Sequence, residues 1–199
     1  MKLFRTYPFG TALALAIAVG LFAATGHIDA HAMVSVGTAM FIGPCYVLDN
    51  NGVSISTAIS AIQYKAGVNG AAEILRASLS QGSTATSAQL SAALLRKTAA
   101  ATVTTGVAGT TVLKQNPINP TTDASLGVSA TGITATAEGT NGEQFVTDGF
   151  NDLNGYIYLP AQEERPLVPQ GGIVSLTFMT APQSATRYAR LAWRELRGS

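Results

Sequence analysis

Beyond about residue 40, apolar and polar positions alternate with a period of two in short runs, the spacing that sends successive side chains to opposite faces of a strand. The runs are 52–60 (GVSISTAIS), 73–80 (EILRASLS), 92–97 (AALLRK), 98–105 with one shift of phase, 129–137 (SATGITATA), 143–150 (EQFVTDGF), 155–160 (GYIYLP), 172–180 (GIVSLTFMT) and 186–196 (TRYARLAWREL). Turn-forming clusters such as DNNG, GVNG, EGTNG, NDLNG and VPQGG separate nearly all of them. The helices that a parallel sheet needs between its strands are missing, so the pattern predicts an all-β domain, an antiparallel β-sandwich or jelly roll of about nine strands.

Within the last run, Ala189, Leu191 and Trp193 share one face and Tyr188, Arg190 and Arg194 the other, which assigns the single tryptophan to the core. A helical reading of 186–197 is the weaker alternative. Val174, Leu176 and Phe178 are expected to point inward, with Ser175, Thr177 and Met179 outward. The tract TAAATVTTGVAGTT is low in complexity and reads as an extended connection.

The start of the chain follows a different pattern. Lys2 and Arg5 precede 21 uncharged residues, 6–26, and small residues at Ala30 and Ala32 then flank His31. A basic start, an apolar middle and an A-x-A ending form the layout of a secretory signal peptide cut after Ala32. The span 6–26 is also long enough for a membrane anchor, and a third reading begins translation at Met33 or Met40. Helix is the local expectation for the apolar segment. The organisation is therefore 1–32 as a signal-like or anchor segment, 33–51 as a connecting segment, and 52–199 as the β-sandwich.

Composition narrows the function. Only 12% of residues are charged and the formal net charge is +1, so phosphate-driven nucleic-acid binding has little to act through. Arg187, Arg190, Arg194 and Arg197 read as solvated strand and tail charges rather than a basic patch. Cys45 is the sole cysteine, which excludes an intramolecular disulfide, and a buried free thiol is its expected state.

Both histidines, His27 and His31, lie in the leader. From residue 33 onward no Ser-His-Asp or Cys-His apparatus and no imidazole metal ligand is available. Carboxylate chemistry has Asp148, Asp152, Glu163 and Glu164 to draw on. Extended, the adjacent Glu163 and Glu164 would point to opposite sides, and the prolines around them favour an exposed turn. No enzyme activity, cofactor or metal is expected. The Asp-Asn-Gly runs at 49–52 and 151–155 read as turns rather than calcium loops. Residues 158–172 read as an exposed connection stiffened by Pro160, Pro166 and Pro169, with Arg165 pairing with Glu163 or Glu164 or reaching a neighbouring subunit. Glu163, Glu164, Arg165, Arg190 and Arg194 are the candidate interface residues.

The order of segments also resembles a group of small β-sandwich proteins encoded by tailed bacteriophages. The residues that carry the resemblance are Arg76, Gly82 and Ser83, then Gly149, Phe150, Asn151, Gly155, Tyr156, Leu159 and Pro160, then Glu163, Glu164, Arg165 and Pro166, with a closing strand ending WREL. The resemblance covers roughly residues 52–197, and its second half is the specific part. It implies a non-enzymatic structural role in the virion, on the head surface or in the tail, as a homo-oligomer packed on other virion proteins, with membrane contact through residues 6–26 where that segment is retained. The leader points instead to a periplasmic or cell-surface binding module exported after cleavage following Ala32.

Overall fold

The computed structural model describes residues 43–82 and 87–197. The apolar helix expected within 1–32 and the junction after Ala32 lie outside them, as do Ser83 and the Arg197 side chain. The described chain is all-β and forms two antiparallel sheets in a sandwich-like arrangement, with thirteen strands against the expected nine or so.

In chain order the strands are β1 (Cys45–Asp49), β2 (Val53–Ile55), β3 (Ser60–Lys65), β4 (Gly70–Gln81), β5 (Gln89–Lys97), β6 (Thr102–Thr105), β7 (Val112–Lys114), β8 (Gly132–Ala137), β9 (Asn141–Asn151), β10 (Tyr156–Tyr158), β11 (Leu167–Val168), β12 (Ile173–Phe178) and β13 (Ala185–Arg197). The first sheet runs β10-β4-β13-β1-β7, with β11 added to β4 and β2 to β13; the second runs β6-β8-β3-β12-β5-β9. The run 52–60 is not one strand. Val53–Ile55 belongs to the first sheet and Ser60–Lys65 to the second, so the chain changes sheets between them. Cys45–Asp49, inside the stretch read as connecting, is an interior strand of the first sheet.

Trp193 shows how the sheets meet. It is fully buried, as its alternation predicts, and packs on Tyr46 of its own sheet with ring centroids 5.8 Å apart and on Tyr64 of the facing sheet at 4.6 Å. Phe150 and Tyr156 make a second contact across the layers at 5.7 Å. Around these rings Leu48, Ile62, Ile74, Leu94, Leu176 and Leu191 complete one continuous apolar core.

The second sheet is not flat. Only residues 98–101 connect β5 to β6, and only 138–140 connect β8 to β9, yet each pair stands four strand positions apart in the sheet. Four strand spacings amount to about 19 Å, whereas the chain from residue 137 to 141 reaches at most about 14 Å. The sheet must curl until its two ends meet. Thr98 N donates to Thr140 O at 2.9 Å and Thr140 N to Ala99 O at 3.1 Å, so β5–β6 and β8–β9 are the two sides of one long ribbon, bent where it switches partners.

That bend explains one departure from the alternation. Ser175 and Thr177 do point away from the intersheet core, but they are buried, not solvated. The curled ribbon encloses them in a row of hydroxyls: Ser175 Oγ lies 3.0 Å from Thr177 Oγ1, which lies 3.1 Å from Ser60 Oγ. Gln63 likewise donates to Ala130 O at 2.6 Å and accepts from Ala101 N at 2.7 Å. Gly132 on β8 is required for the close approach, since a Cβ there would lie 2.2 Å from Thr104 O.

The core also sets an alkaline limit. Burial first, then the charges of Asp148 and Tyr158, push the Tyr156 phenol up to about 12, and burial pushes Tyr64 up as well. An unfolded tyrosine titrates near 10. A folded value above the unfolded one gives stability that is complete below pH ~10 and is lost as pH rises toward ~12. Alkaline unfolding monitored by phenolate absorbance is expected to show these tyrosines ionising with the loss of structure, not before it.

Candidate interaction surface

Facing away from the core, the first sheet presents residues from β4, β13, β1, β10 and β11. The register puts Ile157, Ser78, Arg190 and Asp49 in one row across it, and Leu167, Glu73, Arg194 and Cys45 in another. Arg76 stands opposite Ala192 between these rows. Strand parity places Arg190, Ala192 and Arg194 on one face of β13, and a bulge opposite Ala192 and Trp193, where β4 carries the extra residue Leu75, brings Glu73 onto the same face as Arg76 and Ser78.

Three of the five candidate interface residues are held by carboxylates on this face. Glu73 receives Arg194 Nε at 2.8 Å and Arg194 Nη2, while its other oxygen receives Arg165 Nη1 at 3.3 Å. Asp49 Oδ2 receives Arg190 Nε at 2.5 Å. The local pairing of Arg165 with Glu163 or Glu164 is thus corrected, because its partner is Glu73 on the neighbouring strand. Glu163 and Glu164 sit in a short 3₁₀ turn, Gln162–Glu164, and are exposed without an ion pair among the described residues. Arg76 is exposed and also makes no ion pair among them.

Apolar side chains lie beside these charges. Ile157 is 64% exposed, Leu159 73% and Leu167 56%, all on the strands and connection bordering β4. A shallow depression of about 320 Å³ between Arg76, Arg190, Tyr188 and Ile157 completes the surface. Arginines fixed by carboxylates lose little freedom on contact, and exposed aliphatic groups supply area to bury. Sequence reasoning assigned the arginines to an interface but not Glu73, Ile157 or Leu167, and it named Leu159 only as a carrier of the phage resemblance; the alternation of GYIYLP carried the signal for Ile157.

Arg187 is not a solvated strand charge: it is fully buried, with Nη1 on Asp152 and Nη2 donating to Gln183 O at 2.9 Å. Asp152 is accordingly removed from the pool of catalytic acids. Asp148 lies exposed on β9 of the second sheet, while Glu163 and Glu164 border the first, so the four carboxylates are not gathered into a site. Asp49 and Asn50 accept the backbone N–H groups of Asn51 and Gly52 at 2.8 and 3.2 Å, and Asn151 Oδ1 accepts Leu153 N at 2.9 Å, making both Asp-Asn-Gly runs turns. Cys45 is free but only half-buried, and burial, opposed by the Arg194 charge, raises its thiol pKa. No helix among the described residues is long and apolar enough to cross a membrane.

Comparison of the chain with protein-family models, with curated proteins and with solved structures finds no match.

Because Glu73 compensates two arginines, Glu73→Gln is expected to lower the unfolding free energy by about 2 kcal/mol, the scale of lost charge-assisted hydrogen bonds. Urea unfolding checks this. Amide exchange in residues 162–165 should rise in the same variant, since the Arg165–Glu73 pair tethers that turn to β4 ahead of the β11 pairing.

Proposed function

We propose that the protein is a non-enzymatic structural component of a phage virion, on the head surface or tail, acting by self-association and by packing on other virion proteins. The observation that carries this reading is the outer face of the first sheet, where Arg165, Arg190 and Arg194 are held by Glu73 and Asp49 beside exposed Ile157, Leu159 and Leu167. Such a face suits rigid, repeated contacts, in which an aliphatic centre excludes water and ordered guanidinium groups set the register. The resemblance of the segment order to small phage sandwiches points the same way, and a jelly-roll connectivity belongs with it. Neither nucleic acid nor a cofactor has a part in this role. Glu163 and Glu164 stand at the rim, where charge governs the encounter more than the affinity.

The leader favours a second reading. Lys2, Arg5, the uncharged span 6–26 and Ala30-His31-Ala32 fit export, so the same face would serve a periplasmic or cell-surface binding module. If the segment is retained, residues 6–26 bring the protein to a membrane.

The deciding measurement is co-sedimentation of the protein with particles from its native source, combined with its intact mass. A chain beginning at Met1 or Met33 and found in particles supports the virion role; a chain cut after Ala32 and free of particles supports export. Ile157→Asp with Leu159→Asp, both exposed in the free protein, is expected to abolish particle incorporation while leaving the unfolding midpoint nearly unchanged.

A further inference from the structure

At the bend of the ribbon lies a group of side chains that the proposed surface does not use. Lys97, the last residue of β5, has a side chain with no solvent exposure. A buried lysine needs partners for its amine, and the structure supplies two: Glu138 Oε2 at 2.5 Å and Asn141 Oδ1 at 3.1 Å. Lys97 and Asn141 are direct cross-strand neighbours in the β5–β9 ladder. Glu138 is held in turn by Ser60, whose N–H donates to Oε1 and whose hydroxyl donates to Oε2 at 2.9 Å.

We propose that Lys97 and Asn141 become joined by an intramolecular amide bond, formed by attack of the Lys97 amine on the Asn141 side-chain carbonyl carbon with loss of ammonia, Glu138 carrying the protons. The Lys97 ammonium gives a proton to the Glu138 carboxylate. The neutral amine forms a bond from Nζ to Asn141 Cγ, and the carbonyl electrons move to Oδ1. Glu138 returns its proton to Nδ2 and takes one from Nζ as the tetrahedral centre collapses, breaking the Cγ–Nδ2 bond to release ammonia, which then takes that second proton and leaves Glu138 ionised. Lysine ammonium and asparagine carboxamide thereby become one secondary amide and one ammonium ion, with no oxidant or other reactant.

Three features favour this chemistry. An amine already bonded to Oδ1 comes within attack distance of Cγ by a torsion of the Asn141 side chain, and such intramolecular placement reaches effective molarities of about 10⁵ M or more. The placement is rigid, because the ladder pair and the Thr98–Thr140 and Ala99–Thr140 hydrogen bonds fix both backbones. Asn141 is exposed at the start of β9, so ammonia leaves directly to water. Burial pushes the Glu138 carboxyl up, but the donors from Lys97 and Ser60 outweigh it and hold the group below its ordinary value, leaving an anion on the amine. The first proton transfer is uphill and the reaction correspondingly slow, yet it takes place only once per chain.

The test is peptide mapping by mass spectrometry of the full chain, aged after purification, alongside Lys97→Met, Asn141→Ala and Glu138→Gln. The expected result is that wild type yields a joined species containing Lys97 and Asn141, lighter than the sum of its two peptides by one ammonia. It should be absent from the Lys97 and Asn141 variants and at least tenfold less abundant in Glu138→Gln. Separate, unmodified Lys97 and Asn141 peptides throughout the ageing of folded wild type would overturn the proposal. So would ammonia loss at Asn141 that persists in Lys97→Met, because cyclisation onto the Gly142 nitrogen then accounts for it. Wild type is the primary readout, so a variant that fails to fold does not rescue the idea.

Discussion

Replacing Arg187 with methionine is expected to remove about 3–5 kcal/mol of stability, among the largest losses available to a single substitution here. Arg187 and Asp152 side chains are each only 1% exposed. Neither charge is repaid by water, so the pair holds together only while both members are present. The guanidinium also donates to Gln183 O at 2.9 Å and to Gln81 Oε1 at 3.4 Å, which ties the connection before β13 and the end of β4 to the turn at 151–155. Methionine fills similar volume but deprives a buried carboxylate of its counter-charge. The double variant Arg187→Met with Asp152→Leu removes both charges and is expected to recover most of the loss. Urea midpoints of the two variants check this; equal destabilisation in single and double variants would mean that packing, not charge, sets the cost.

Trp193→Ala is expected to cost about 3–5 kcal/mol through the cavity it leaves between the layers. The indole fills the space between Tyr46 and Tyr64, on strands of different sheets, so its loss loosens the sandwich at its centre. Indole Nε1 has no hydrogen-bond partner among the described residues, so a phenylalanine at this position loses volume but none of the polar contacts described and should cost clearly less. Trp193 is the only tryptophan, so unfolding of these variants is followed by far-ultraviolet circular dichroism and not by indole fluorescence.

Long, one-sided strands were legible from alternation, as β13 shows with Ala189, Leu191 and Trp193 inward. The same parity put Arg187 inward too, but a charged residue read alone looks solvated; its acid lies 35 residues earlier, in a turn. Strands such as β7 and β11, with three and two residues, exist only because a partner pairs with them, and no local pattern marks them. Ile62–Tyr64 escaped notice because the β3 segment is buried on both faces, with Gln63 satisfied by backbone groups of 101 and 130. On the candidate surface, Arg165, Arg190 and Arg194 were visible as residue types in an exposed connection and on an outward strand face. Glu73 was not, since its link to Arg165 spans 92 residues and to Arg194 121.

Strand β13, the last of the described strands, pairs with β1, β2 and β4. Until it leaves the ribosome, the first sheet lacks the strand that joins the others, and β4 would offer one edge along its full length. Folding of that sheet therefore waits until β13 has been made, and an early stop codon anywhere before residue 185 should yield aggregates rather than a smaller folded product. Synthesis through β13 is thus a condition of solubility, and a chain cut short of it is withdrawn from solution before it can persist as a partial sheet.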